Sequence, residues 1–181
     1  LDINNVETVL IANFDTHGGD TTVDTALFDG VTTLGLSSSA GTGDTIFSNI
    51  VAVTDGTMSN GSADMTWTYT AAAVVGTADV QNLAVSNLAA GAFLANGTET
   101  ISISTSGVKS TLTSVASNAL KTLNISGDQS LKITNAVDFA ANGTTVAPGA
   151  VIDASSMTGK LTITTTASEN LSLKAGSGDD T

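Results

Sequence analysis

The stretch "LKTLNISGDQSLKITNA", residues 120–136, decides the fold. Leu123 and Ile125 flank one asparagine, and Leu131 and Ile133 flank one lysine. Alternation at period two places both aliphatics of a pair on one face and the polar residue on the other, which describes a half-buried strand. The same signature returns along the chain. It appears in "VETVLIANF" (6–14, Val9/Ile11), "VTTLGLSSS" (31–39, Leu34/Leu36) and "VQNLAVSNL" (80–88, Leu83/Val85). It appears again in "TETISISTS" (98–106, Ile101/Ile103), "GKLTITTTA" (159–167, Leu161/Ile163) and "ENLSLKAGS" (169–177, Leu171/Leu173).

The intervals carry the architecture. The intervals are uneven, but those near 20–25 residues, as from 9 to 34 and from 101 to 123, suit one coil of a parallel solenoid with two or three short strands per coil. The gap from 34 to 83 has room for an extra coil, with "MTWTYT" (65–70) as one of its strands. The short steps, 123 to 131 and 161 to 171, fit successive strands around a coil. A β-sandwich with a hairpin turn every 8–12 residues competes with this reading. The solenoid is favoured because similar rungs recur in one orientation and two-residue hairpin signals are few. The expected class is all-β, a parallel β-helix or β-solenoid of short Ser/Thr-rich rungs. Residues 1–97 read as irregular rungs and 98–181 as more regular ones, within one continuous domain. One exception is expected at 108–123, where Val108, Leu112, Val115, Ala119 and Leu120 fall at helical spacing and predict a short helix or 3₁₀ turn.

Composition narrows the function. The 181 residues hold 17 acidic and 5 basic side chains, for a net charge of −12. Lys109, Lys121, Lys132, Lys160 and Lys174 are the only basic residues besides His17, and there is no arginine. Neutralising phosphates takes clustered Lys and Arg, so nucleic acid is not an expected partner. An acidic surface suits hard cations instead. The absence of Cys excludes disulfides as the source of stability and fits an exported protein. No apolar run approaches the ~18 residues of a membrane span, the longest cluster being "AAAVVG" at 71–76, so membrane insertion is not expected. Since the chain starts at Leu1 and stops within a motif, it reads as a piece of a longer protein.

Catalytic signals are sparse. His17 in "DTHGGD" (15–20) stands alone, whereas zinc or copper sites collect several His or Cys ligands. Asp15 and Asp20 around Gly18-Gly19 are a minor candidate for calcium, but turns favour Asp in any case. No G-x-S-x-G elbow surrounds a serine. Trp67 and Tyr69 alternate on one face and read as a core or interface patch rather than a sugar platform. Sequons begin at Asn60, Asn96, Asn124, Asn142 and Asn170, as expected by chance in a sequence rich in Asn, Ser and Thr. The chain is not expected to be an enzyme.

The ending "AGSGDDT", residues 175–181, is the most specific motif. Set against the nonapeptide G-G-x-G-x-D-x-U-x, it matches at Gly176, Gly178 and Asp180, with Ala175 at the first glycine position. Ca²⁺ takes six to eight oxygens, and such a turn offers backbone carbonyls and a carboxylate. Gly176, Ser177, Gly178 and Asp180 are therefore the candidate metal ligands, with Asp179 pointing outward.

Together "LKTLNISGDQSLKITNA", "AVIDASSMTGKLTITTT" (150–166) and "ENLSLKAGSGDDT" (169–181) resemble the repeat-in-toxin (RTX) class of bacterial surface-layer proteins. The N-terminal half is similar in flavour, through "NNVETVLIANF" and "DGVTTLGLSSS". The resemblance implies a secreted structural protein of the cell surface, exported by type I secretion and assembling with itself into a lattice that depends on calcium. It also implies a calcium β-roll turn at the C-terminal end, and cell-surface polysaccharide as a partner of regions outside this chain. Ala175 and the lack of a second nonapeptide depart from that pattern. Two alternatives remain from other classes. One is an adhesin or passenger solenoid that binds surfaces or glycans, and the other, less favoured, is a β-helix carbohydrate enzyme.

Overall fold

A computed structural model of the chain describes residues 2–137, 139, 149–165 and 171–181. Strands β1 to β18, numbered in chain order, wind into a β-solenoid of about seven turns with no helix among the described residues. One wall is an eight-stranded sheet. It is built from β2 (Thr8–Ile11), β5 (Thr33–Ser37), β7 (Asp55–Ser59), β9 (Val80–Ser86), β11 (Thr100–Thr105), β14 (Thr122–Gly127), β16 (Val151–Met157) and β18 (Ser172–Lys174). A five-stranded wall holds β3 (Thr21–Asp24), β6 (Thr45–Ile50), β8 (Met65–Tyr69), β10 (Ala92–Ala95) and β13 (Ser114–Ala116). A three-stranded sheet of β12 (Ser110–Leu112), β15 (Leu131–Ile133) and β17 (Leu161–Thr162) opens a third side in the later coils. β1 (Ile3–Asn4) pairs with β4 (Phe28–Asp29). Every strand pairing among the described residues is parallel, which excludes the hairpin-built sandwich.

Coil length follows from the registers. Val80 pairs with Thr100 across the shortest coil and Thr122 with Val151 across the longest, 20 and 29 residues apart. The interval between Leu34 and Leu83 does hold an extra coil, made of β7 and β8. The eight-stranded sheet passes residue 97 without a break, because β9 and β11 pair along Val80–Val85 and Thr100–Thr105.

The aliphatic pairs face inward as their alternation predicts. Leu34, Leu36, Leu83, Val85, Ile101, Ile103, Leu123, Ile125, Leu131 and Ile133 are all buried. Each such side chain contributes about 1.5–3 kcal/mol when fully removed from water. They do not simply stack first on first, however. Leu83 pairs with Ile103, and Gln81 pairs with Ile101. A slip of two residues keeps every side chain on its face, so periodicity alone is blind to it. The last pair differs: Leu171 is partly buried and Leu173 is 55% exposed, since β18 has a strand neighbour on one side only among the described residues.

Aromatic side chains fill the space between the two larger walls. Trp67, 1% exposed, meets Phe47, Tyr69 and Phe93 edge-to-face at 6.2, 6.1 and 5.9 Å. Gly56 backs onto it, and the close approach there is to the next strand. A Cβ there would sit 3.4 Å from Trp67 Cζ2 and 3.1 Å from the Asn82 carbonyl. Trp67 is thus core, one of the two roles the sequence leaves open for it, while Tyr69 is partly buried beside it.

The helix expected over 108–123 is not formed. Leu112 on β12 and Val115 on β13 point into the same interior from two strands that meet at Thr113, and Val108 is 50% exposed. The Ser and Thr load that weakens a helix there suits strands that gain ladder partners in β15 and β10.

Corners between walls repeat as well. Ser38, Asn60 and Asn87 follow β5, β7 and β9 and all adopt left-handed φ, at 57°, 54° and 55°. Asn tolerates that conformation, and Asn87 Nδ2 donates to Asn60 Oδ1 at 3.0 Å. Ile125→Asp should destabilise the chain by roughly 3–5 kcal/mol, the cost of an unpaired buried charge. Urea unfolding of the variant checks it, with the exposed Ser104→Asp as a control that changes little.

Candidate functional site

The turn at 175–181 lies directly on the preceding turn, residues 157–160. Ser177 N donates to the Met157 carbonyl at 3.0 Å, and Thr181 N to the Leu161 carbonyl at 2.9 Å. The approach is so close that a Cβ on Gly176 would fall 2.1 Å from Met157 O, and one on Gly178 would fall 2.5 Å from Gly159 O. Both glycines are therefore demanded by stacking. Asp180 faces the same junction. Its Oδ1 accepts from Leu161 N at 2.9 Å and its Oδ2 from Gly176 N at 3.0 Å. It thus ties its own turn to the coil beneath, while Asp179 is exposed, as strand alternation predicts.

The structure brings Gly176, Ser177, Gly178 and Asp180 together in one short turn. Around them stand the carbonyl of Gly159, which the stacking brings close to Gly178, and the exposed Lys160. Among the described residues, no three His, Cys, Asp or Glu side chains converge in a way that would hold a metal ion. A cation here would take mainly backbone carbonyls plus the lone pairs Asp180 retains beyond its two N–H bonds.

The other sequence candidates bond neighbouring backbone or side chains. Asp15 Oδ1 accepts from His17 N at 2.8 Å and lies 3.1 Å from the exposed His17 Nδ1. Asp20 Oδ1 accepts from Asp44 N at 3.1 Å, a bond between neighbouring coils. Asn96 Oδ1 accepts from Asn118 N at 3.0 Å, and Asn124 Nδ2 donates to Ser102 Oγ at 3.2 Å. The sequons at Asn142 and Asn170 lie outside the described residues.

A buried polar cluster escaped the sequence reading. Gln81, fully buried, donates from Nε2 to the Thr54 and Asn82 carbonyls at 2.9 and 2.6 Å, and its Oε1 accepts from the Tyr69 hydroxyl. On the next coil Glu99 Oε2 accepts from Asp79 N at 3.0 Å. Burial, followed by the charge of Asp79, pushes the Tyr69 hydroxyl well above its ordinary range, which keeps it a proton donor to Gln81. Thr54 Oγ1, Trp67 Nε1 and Asp79 Oδ2 are buried here without a described partner. The available signal was Gln81 itself, a polar residue in phase with Leu83 and Val85 where the alternation calls for an aliphatic.

Two surface features complete the picture. An open groove of about 520 Å³ runs over the corner ladder, bordered by Asn60, Asn87, Lys109 and Thr111. On the outer face of the eight-stranded sheet, Lys174 Nζ reaches Asp153 Oδ2 at 2.9 Å across one rung. Comparison with protein-family models, curated proteins and solved structures finds no match to this chain.

Two outcomes test this geometry. Asp180→Ala leaves the Leu161 and Gly176 amides without their acceptor and should cost about 1–3 kcal/mol. Gly176→Val should cost at least as much, by forcing the two turns apart, and both effects are readable as lost hydrogen-exchange protection at Leu161. The second concerns acid. The Ser155 hydroxyl, then the Lys174 ammonium and the Ser155 amide, hold the Asp153 carboxyl down at about 2. A depressed carboxylate stabilises the fold fully above the ordinary carboxylate range and loses that contribution as pH falls toward 2. Carboxyl-detected NMR titration should show Asp153 protonating last in this way, and Lys174→Ala should raise its midpoint.

Proposed function

We propose that this chain is a structural segment of an extracellular, calcium-dependent, self-assembling bacterial surface layer. In this reading it is not an enzyme. It reaches the cell surface by type I secretion, with cell-surface polysaccharide met by parts of the protein outside these residues. The observation that carries the reading is the glycine-spaced turn at 175–181, seated tightly on the turn beneath at the end of a parallel solenoid. Stacked turns whose carbonyls and carboxylate share one junction are what a calcium roll is built from. An acidic, Cys-free surface with net charge −12 also suits export into a calcium-rich medium.

A surface-binding solenoid is the second reading. The groove bordered by Asn60, Asn87 and Lys109 favours it, since amides and one ammonium suit a hydroxyl-rich or anionic polymer.

Calcium titration of the chain separates the two. At a hundredfold excess over the dissociation constant, an ion that binds only the folded state stabilises it by about 2.7 kcal/mol. For a chain of this size that is a rise in Tm of roughly 5–10 °C. Calcium should raise Tm in this way and induce ordered arrays visible by electron microscopy, magnesium should do neither, and Asp180→Ala should abolish both effects. A chain whose stability and assembly ignore calcium, yet which binds polysaccharide through the groove, is a surface binder instead.

A further inference from the structure

Three Asn-Gly dipeptides occur in the chain, at Asn60, Asn96 and Asn142, the last outside the described residues. Such a pair is chemically labile, because a glycine nitrogen, unobstructed by a side chain, can attack the asparagine side-chain carbonyl. The fold itself imposes the pair at 60–61. Asn60 turns the corner after β7 in the left-handed region, at φ 54°, a conformation that Asn and Gly tolerate. Position 61 lies so close to the coil beneath that a Cβ there would fall 2.2 Å from the Ser39 carbonyl oxygen. The matching corners of the neighbouring coils, Ser38-Ser39 and Asn87-Leu88, carry a side chain at the second position.

The two described pairs are held differently. Asn60 Oδ1 accepts from Asn87 Nδ2 at 3.0 Å, and Asn96 Oδ1 accepts from Asn118 N at 3.0 Å. A donor therefore polarises the side-chain carbonyl in both, and would stabilise the oxyanion formed on attack. The glycine nitrogens differ. Gly97 N donates to Asn118 Oδ1 at 2.8 Å, so one residue of the next coil clamps the electrophile and the nucleophile together. Gly61 N has no acceptor among the described residues. Asn60 is also exposed, and with Gly61 and Ser62 it lines the open groove of about 520 Å³, which admits water to this corner.

We propose that Asn60 is a site of spontaneous deamidation in the folded chain, with water as the only co-reactant. The Gly61 nitrogen gives its proton to water and bonds to Asn60 Cγ. The Cγ–Nδ2 bond breaks, and Nδ2 takes up a proton and leaves as ammonia. Water then opens the cyclic imide at either carbonyl, giving aspartate or isoaspartate. Ring closure turns Asn60 out of the left-handed region, so it proceeds through a local opening that releases Asn60 N from the Ser86 carbonyl, its partner at 3.1 Å. Either product sets a carboxylate into a groove bordered by Asn87, Lys109 and Thr111. In the aspartate form Asn87 Nδ2 keeps its acceptor, whereas isoaspartate adds a methylene to the backbone where Gly61 is wedged on Ser39.

The test incubates the whole chain at mildly alkaline pH and maps it after pepsin digestion in acid, which arrests ring closure. Mass spectrometry reads the loss of amide at each site, and enzymatic isoaspartyl methylation reports the imide route. In the folded chain Asn60 should convert at least about fivefold faster than Asn96, the effect of the bond that restrains Gly97 N. In urea both glycine nitrogens are free, and the two rates should converge. Asn118→Ala removes the side-chain half of the clamp and should raise conversion at Asn96 towards that at Asn60, with far-UV circular dichroism unchanged. Should that variant unfold, the wild-type ratio, folded against urea, still decides. Asn60 remaining amide in the folded chain while it converts in urea overturns the proposal, as do equal folded-state rates at 60 and 96. So does a folded Asn118→Ala chain in which Asn96 converts no faster than before.

Discussion

A coil of this protein buries its aliphatic pair only when another coil lies against it. Leu123 and Ile125 are sealed by Ile101 and Ile103 of the coil on one side, with Ile152 of the coil on the other side covering Leu123. The parallel backbone ladder and the inward columns are therefore one interaction, because neither is complete within a single turn of chain. Leu173 shows the reverse case, an inward-column residue left open where the strand stack has a neighbour on one side only. Stability in such a structure accumulates by nearest-neighbour contacts between coils, which a chain with no disulfide can rely on.

The same constraint assigns the polar residues. Stacked coils bring corner backbones together in register, and each corner amide needs an acceptor. Aspartates and asparagines supply it from one coil to the next: Asp20 to Asp44 N, Asp64 to Ala92 N, Asn96 to Asn118 N and Asp180 to Leu161 N. Much of the acidic and Asn-rich composition is thus structural stapling. The ion-binding reading of Asp180 has to stand beside that role, since its two oxygens already accept backbone N–H groups. A carboxylate so held is pre-positioned, and it still has lone pairs to offer a hard cation.

The buried group around Gln81 interrupts an inward column that is otherwise aliphatic at Leu83, Ile101 and Leu123. There the coil shortens, Gln81 enters the column above Ile101, and Tyr69 and Thr54 satisfy its amide. A slipped register would strip the buried Gln81 amide of the Thr54 carbonyl and the Tyr69 hydroxyl, and leaving a buried polar group unpaired is costly. The Gln81 group adjoins the aromatic group of Phe47, Trp67 and Phe93 through Tyr69, which meets Trp67 edge-to-face.

The sequence by itself determined that the chain is all-β, that its aliphatic pairs face inward, and that its strands stack in parallel coils. Period-two alternation and repeat spacing are local properties, and they survive into the fold at Leu34/Leu36, Ile101/Ile103 and Leu131/Ile133. At the terminal turn, the glycine spacing made the close backbone approach at Gly176 and Gly178 legible. Tertiary structure alone decided the rest. It set Leu83 on Ile103 rather than Ile101, because a two-residue slip leaves the pattern unchanged. It turned the helix-spaced segment at 108–123 into two strands, because ladder partners from other coils outweigh weak local propensity. It also put Asp20, Asp44, Asp64 and Asp128 on one side of the solenoid with Lys109, Lys132 and Lys160, residues far apart in the chain whose alignment depends on the length of every coil between them.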